Sequence, residues 1–250
     1  MPWKVFAASA IGKNHIDTGI PCQDDFSYHL VGDVFVGVVC DGAGSASHSE
    51  IGAKACSRSV VDTITAKLEK GETDSVLGVC ERDFMVFSVE AARAKLQSVA
   101  DESGCDFKDL SCTLVGCVAS PKGGCLFHIG DGFAVADFDE GESVVSLPEN
   151  GEYANETYFV TAAEWQSKLR VTPLPTAQAG CVALMSDGAA PFVINKGRTG
   201  MYKPFIEPVL RYLSSATQDE GDSGLKDTLS DERTYTITGD DKTLMVALLQ

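Results

Sequence analysis

Nowhere in this chain do apolar residues run far enough to cross a bilayer, so no membrane-spanning segment is expected. The opening Met1-Pro2-Trp3-Lys4-Val5-Phe6 turns polar too early for a secretory signal. Cys-x-x-Cys pairs are absent. An odd count of nine cysteines without a signal reads as reduced thiols in a cytoplasmic protein, where they fill the core as small hydrophobes. No Gly-x-x-x-x-Gly-Lys-Ser/Thr loop is present, which excludes nucleotide hydrolysis by that route. Cations are scarce: 20 Lys and Arg stand against 36 Asp and Glu, a net charge of −16. That balance argues against nucleic acid and against anionic membrane surfaces, both of which are bound through Lys and Arg. Low-complexity linkers and internal repeats are also missing.

What is present is a core-forming composition, with 44% apolar residues in 250. Strands are expected over Trp3 to Ile11, Phe26 to Leu30 and Val34 to Cys40, the last two paired around Gly32-Asp33. From Ser47 the apolar residues Ala53, Cys56, Val60, Ile64 and Leu68 recur at helical spacing, with Ser47 or Ser49 as cap and Gly71 as terminator. A second helix carries Val89, Ala92, Leu96 and Val99 and closes at Gly104. Cys112 to Ser120, Gly124 to Ile129 and Phe133 to Phe138 read as consecutive antiparallel strands, turned at Pro121–Gly124 and at Gly130-Asp131-Gly132. Short strands are expected near Val144 and Tyr158. A short helix is expected over Ala162 to Lys168, a buried strand over Cys181 to Ser186, and a helix over Pro204 to Leu213. A polar loop over Gln218 to Gly224 precedes a last strand over Thr243 to Leu249. Strands dominate and the long helices lie early, which suggests packed sheets covered by helices in a single domain, 1–250.

The chemistry lies at the strand ends. Val34–Cys40 runs into Asp41-Gly42-Ala43-Gly44, and Leu126–Ile129 into Gly130-Asp131-Gly132. Cys181–Ser186 runs into Asp187-Gly188, and Gly239-Asp240-Asp241 opens onto Leu244–Leu249. A carboxylate beside a glycine at the lip of a buried strand can face open space without bending the strand. Several such lips together make an oxygen cage for hard divalent cations. The proposed set is Asp24, Asp41, Asp131, Asp187 and Asp240, with Asp25 and Asp241 as near neighbours. Singly, each Asp-Gly is an ordinary turn dipeptide; their joint order carries the information.

Pro21-Cys22-Gln23-Asp24-Asp25, Val39-Cys40-Asp41-Gly42-Ala43-Gly44-Ser45, Ser111-Cys112-Thr113 with Gly130-Asp131-Gly132, Met185-Ser186-Asp187-Gly188 and Asp240-Asp241-Lys242-Thr243 follow one another along nearly the whole chain. Together they resemble the metal-dependent serine/threonine protein phosphatases, the PPM or type 2C family. His15, Gly19–Asp24, Ser49-Glu50 with Gly52-Ala53, and Gly151–Thr157 are similar to a bacterial stand-alone subgroup. The resemblance implies an α+β fold, a four-layer α-β-β-α sandwich of two mainly antiparallel sheets flanked by helices. It implies hydrolysis of phosphoserine and phosphothreonine through a water activated by two manganese or magnesium ions.

By that resemblance Asp41 bridges the ions with help from the Gly42 carbonyl, and Asp187 and Asp240 complete one shell. Asp24 acts on the other ion through water, and Asp131 holds a third, looser one. Asp240 is preferred to Asp241 because the family's Asp stands three before the hydroxyl residue, here Thr243. Two positions depart from the family pattern. Many eukaryotic members carry a His two residues after the central Asp, where this chain has Ala43. They also carry an Arg phosphate clamp where this chain has Gly19. His15, Lys13 and His48 are candidates for those roles, and Tyr153 and Asn155 for touching substrate. The departures leave a catalytically weak pseudo-phosphatase, docking phosphoproteins or a kinase, as the alternative. The implied partners are phosphorylated proteins, a cognate serine/threonine kinase and a von Willebrand A-type protein. The acidic stretch Asp137–Glu142 lacks the closing Glu of a calcium loop and reads as a hairpin tip.

Overall fold

A computed structural model describes residues 3–71, 75–138, 142–148, 157–177 and 179–250. Among them, ten strands form two five-stranded sheets. The first sheet runs in the order β1 (Trp3–Ala10), β10 (Lys242–Leu249), β9 (Ala179–Met185), β6 (Phe133–Phe138) and β7 (Ser143–Ser146). The second runs β2 (Asp25–Val31), β3 (Val34–Cys40), β4 (Leu114–Ser120), β5 (Gly123–Ile129) and β8 (Arg170–Leu174). Every pairing is antiparallel.

Strand β3 shows why the run Val34–Cys40 is apolar throughout. Side chains alternate between the faces of a strand. Phe35 and Val39 enter the layer between the sheets, beside Val115, Val182 and Met245. Val34, Val36, Val38 and Cys40 face the other way, toward helices α2 (Ser49–Glu69) and α4 (Arg82–Ser103). The helical stripe Ala53, Cys56, Val60, Ile64 and Leu68 meets Val89, Ala92 and Leu96 of α4 there, all buried. Each larger aliphatic in such a stripe stabilises by roughly 1.5–3 kcal/mol relative to exposure. On the first sheet's outer face, α7 (Lys203–Ser215) and α8 (Gln218–Leu229) bring Ile206, Leu213, Leu225 and Leu229 onto Phe6 and Val246. The result is the helix–sheet–sheet–helix sandwich that the motifs implied.

Five local readings are corrected. Gly130-Asp131-Gly132 is not a hairpin turn: β5 lies in the second sheet and β6 in the first, so the segment crosses between them. Gln218 to Gly224 is helical, because Thr217 and Glu220 form a reciprocal capping box that starts α8. No strand forms at Tyr158, where the backbone instead passes over the rim of the sheets and Val160 N–H bonds the Cys112 carbonyl at 2.9 Å. Strand β8 was not anticipated, since Pro173 interrupts its pattern; it pairs only with β5, an edge place that tolerates proline. The long helix also starts at Ser49, and neither Ser47 nor Ser49 caps it. Ser47 Oγ bonds the His48 ring instead, while Ser49 Oγ is buried without a hydrogen bond. Among the described residues no helix is long and apolar enough to cross a membrane.

Candidate active site

Antiparallel pairing brings the acidic strand ends to one rim. Asp25 pairs with Cys40, so Asp24 just before β2 and Asp41 just after β3 leave the second sheet as neighbours. Met185 pairs with Leu244, so Asp187 after β9 and Asp240 before β10 leave the first sheet as neighbours. Asp131 arrives on the crossing segment from β5 to β6. Its path depends on Gly130, whose φ of +111° few other residues adopt and where a Cβ would press on Thr113 at 2.7 Å. Thr113 in turn fixes Asp41: its hydroxyl accepts the Asp41 N–H at 3.0 Å, and its own N–H donates to the Asp41 carbonyl at 2.8 Å.

Carboxylate oxygens of Asp41, Asp131 and Asp187 lie within 4.8 Å of one another. They line a cleft of about 240 Å³ together with Asp240, Gly42, Gln23, Thr157 and His15. Thr157 Oγ1 donates to Asp131 at 2.5 Å. Asp24 sits beneath this surface, 7% exposed. Its Oδ2 accepts from Ser186 Oγ at 2.7 Å and Thr243 Oγ1 at 2.8 Å, while its buried Oδ1 has no hydrogen-bond partner.

The two adjacent aspartates divide. Asp240 lines the cleft with its carboxylate near Asn14 and Thr238. Asp241 also borders the cleft, yet both its oxygens are bonded. Oδ1 accepts Gly12 N–H and Oδ2 accepts Gln23 N–H, each at 2.6 Å, and His15 Nδ1 lies 2.9 Å from Oδ2. Asp25 turns away to Ser57 Oγ of α2 at 2.7 Å.

Burial and the crowding of these acids against one another disfavour their charged forms. Burial pushes Asp24 up to about 7, against the opposing pull of the Ser186 and Thr243 hydroxyls. Burial also raises Asp41 well above the ordinary carboxylate range, reinforced by Asp24, Asp187 and Asp131. Asp187 is pushed up to about 6, first by burial and then by Asp131. The ammonium of buried Lys242 lies behind them, 4.8 Å from the Tyr235 ring centre and donating to the Asp240 carbonyl at 3.3 Å. Cys40, next to Asp41, is fully buried and its thiol is raised well above the usual range by burial. That environment suits a packing residue.

The other sequence candidates are sorted by the same geometry. His15 lines the cleft. Lys13 pairs with Asp17 along an exposed helical turn, α1 (Lys13–Thr18). His48 bonds Ser47 Oγ at 2.9 Å outside the cleft lining. Tyr153 and Asn155 lie outside the described residues. Sequence reasoning did not single out Ser186, Thr157 or Gln23 as site residues. Ser186 stands beside Asp187 in a quoted motif, and its adjacency was the available signal.

The chain is thus a two-sheet sandwich flanked by helices, with a carboxylate-lined cleft where both sheets end. The family model described as Protein phosphatase 2C matches residues 11–230. The chain is 33% identical over 260 residues to serine/threonine-protein phosphatase 3 of Escherichia coli (strain K12), across 99% of each sequence. It therefore belongs to the protein phosphatase 2C family. Solved structures share the fold. The serine/threonine phosphatase Stp1 from Staphylococcus aureus matches with a TM-score of 0.66 at 14% identity, covering 100% of this chain and 96% of that one. RsbX in complex with magnesium matches with a TM-score of 0.58 at 15% identity, covering 99% and 96%.

Proposed function

We propose that this protein hydrolyses phosphoserine and phosphothreonine on other proteins with two divalent cations, manganese or magnesium, held in the acidic cleft. The observation that carries this reading is the convergence of Asp41, Asp131 and Asp187, from three separate strand ends, with Asp240 in the same cleft. The donors are all oxygen, which suits hard ions. The unpartnered buried Oδ1 of Asp24 and the raised acids Asp41 and Asp187 also fit a site completed by positive charge. In this reading Asp41, with the Gly42 carbonyl beside it, would be the central holder of the ions. Asp187, Asp240 and Asp24 would complete the hold on the two ions, and Asp131 is the residue that would take a third were one bound.

When bound, such ions neutralise phosphoryl charge and activate a water for in-line attack. The chain's own part is positional. Thr113 fixes the Asp41 backbone, Ser186 and Thr243 orient Asp24, and Thr157 orients Asp131. Gly42 keeps the floor low, since a Cβ there would meet the Gln23 carbonyl at 2.6 Å.

Phosphopeptide hydrolysis measured against manganese concentration, for wild type and Asp41→Asn, tests the reading. Activity should require the metal, vanish with a chelator, survive thiol alkylation and be lost in the variant. A variant with full activity overturns it. A wild type inactive at every manganese concentration favours a phosphoprotein-binding role. Faster turnover of small phosphate esters than of phosphopeptides points to a small-molecule hydrolase instead.

A further inference from the structure

We propose that His15 is a catalytic residue, the proton donor to the departing serine or threonine oxygen, and that Asp241 is the positioning residue that aims its ring. The inference rests on the phosphatase reading above. Four observations lead to it. First, a seryl or threonyl oxygen leaves as a strongly basic alkoxide unless a proton reaches it as the bond breaks, so a donor within the cleft accelerates the step. Second, among the described residues lining the cleft, His15 is the one side chain able to deliver a proton as a cation; the others are acids, small residues, Gln23, two threonines and a phenylalanine. Third, Ala43, two residues beyond Asp41, has no proton to give. Fourth, His15 is held as a proton donor needs to be. Its Nδ1 is 2.9 Å from Asp241 Oδ2, and Asp241 is itself pinned by the Gly12 and Gln23 amides at 2.6 Å each. A carboxylate on Nδ1 sets the ring's tautomer and orientation and leaves Nε2 for substrate. The His15 side chain is 18% exposed, in keeping with a place on the cleft wall.

The step balances. Water oxygen bonds to phosphorus as the P–Oγ bond breaks, and the electron pair of that bond stays on Oγ. The ring passes its Nε2 proton to Oγ and takes one back from solvent, while the attacking water releases its own proton to solvent, so no net proton is stored on the protein.

The test exploits the leaving group. An aryl phosphate departs as a stable phenolate and needs little proton assistance, whereas a phosphoserine peptide needs it fully. In manganese-loaded protein, His15→Ala should lower kcat on the phosphoserine peptide by about 10²-fold more than on p-nitrophenyl phosphate. Equal losses on the two substrates assign His15 to binding or folding and overturn the inference, and so does no loss on the peptide. His15→Asn, which keeps an N–H for Asp241, should show the same differential, and it covers the case in which the alanine variant fails to fold. A readout independent of turnover comes from ring-nitrogen NMR of the magnesium-loaded protein. The His15 signals should shift when inorganic phosphate is added, and unmoved signals count against contact. Wild type inactive on both substrates would instead bring down the phosphatase reading itself.

Discussion

Replacing Asp187 by asparagine should make the metal-free protein more stable while removing its activity. The Asp187 carboxyl is pushed from an ordinary 3.8 up to about 6 by burial and by Asp131. An acid whose folded-state pKa is raised binds its proton more tightly when folded. Below about pH 4 both states hold that proton and there is no penalty. As pH rises through the window from about 4 to 6, the unfolded state ionises first and the folded state loses ground. Above about pH 6 the whole difference is present, on the order of 2–3 kcal/mol for a shift of about two units.

Asparagine keeps the shape and removes the charge. In chelator at pH 8, urea unfolding of Asp187→Asn should therefore show a gain of about 2 kcal/mol, shrinking by roughly half at pH 5. Buried Trp3 and Trp165 give a fluorescence signal for the transition. With manganese at a hundredfold excess over its Kd, wild type gains about 2.7 kcal/mol by mass action, and the variant gains much less. The stability gap between the two proteins then largely closes. A variant no more stable than wild type in chelator at pH 8 would refute the claim that the acidic rim is electrostatically strained without its ions.

Two further tests address the scaffold. His128 on β5 is fully buried between Ser146 Oγ at 3.0 Å and Arg170 Nη2 at 2.9 Å, and burial lowers it to about 3. The unfolded chain takes up that proton near pH 6.5 while the folded chain does not, so stability falls as pH drops from there toward 3. The stability gap between wild type and His128→Gln should narrow by about 2–3 kcal/mol between pH 7 and pH 4.5, and a gap constant with pH would contradict the buried neutral ring. Thr217→Ala removes the capping box that starts α8. It should cost about 1 kcal/mol and lower the melting midpoint by about 2–4 °C, and an unchanged midpoint would show that tertiary packing alone holds the helix.

The site was readable in the sequence because its residues obey a local rule that survives folding. Asp41, Asp131, Asp187 and Asp240 each follow or precede a strand buried almost throughout, so the strand end fixes where the carboxylate emerges. The preference for Asp240 over Asp241 came from family spacing, and the two carboxylates stand in different surroundings, though both border the cleft. Asp240 meets side chains at the open cleft, while Asp241 is held by the Gly12 and Gln23 amides and the His15 ring. What local pattern could not supply was the partner of each element. Gly130-Asp131-Gly132 has the composition of a tight turn, and only the packing of two sheets makes it a crossing. Gly221 and Gly224 gave α8 the look of a loop. Gly221 is there because a Cβ would strike the Phe6 ring at 2.2 Å, so α8 trades helix propensity for close approach to β1. The capping box at Thr217 and Glu220 was the overlooked signal. Asp241's hold on His15 was likewise invisible, since 226 positions separate the two.

Asp24 belongs to one sheet, and the hydroxyls it accepts, from Ser186 and Thr243, belong to the other. A single buried oxygen thus clasps the sandwich at the very edge where the cleft opens. Neither half carries a rudimentary version of the site. Any fluctuation that parts the sheets at this edge also dismantles the cage, so catalytic competence and closure of the sandwich rise and fall as one cooperative event.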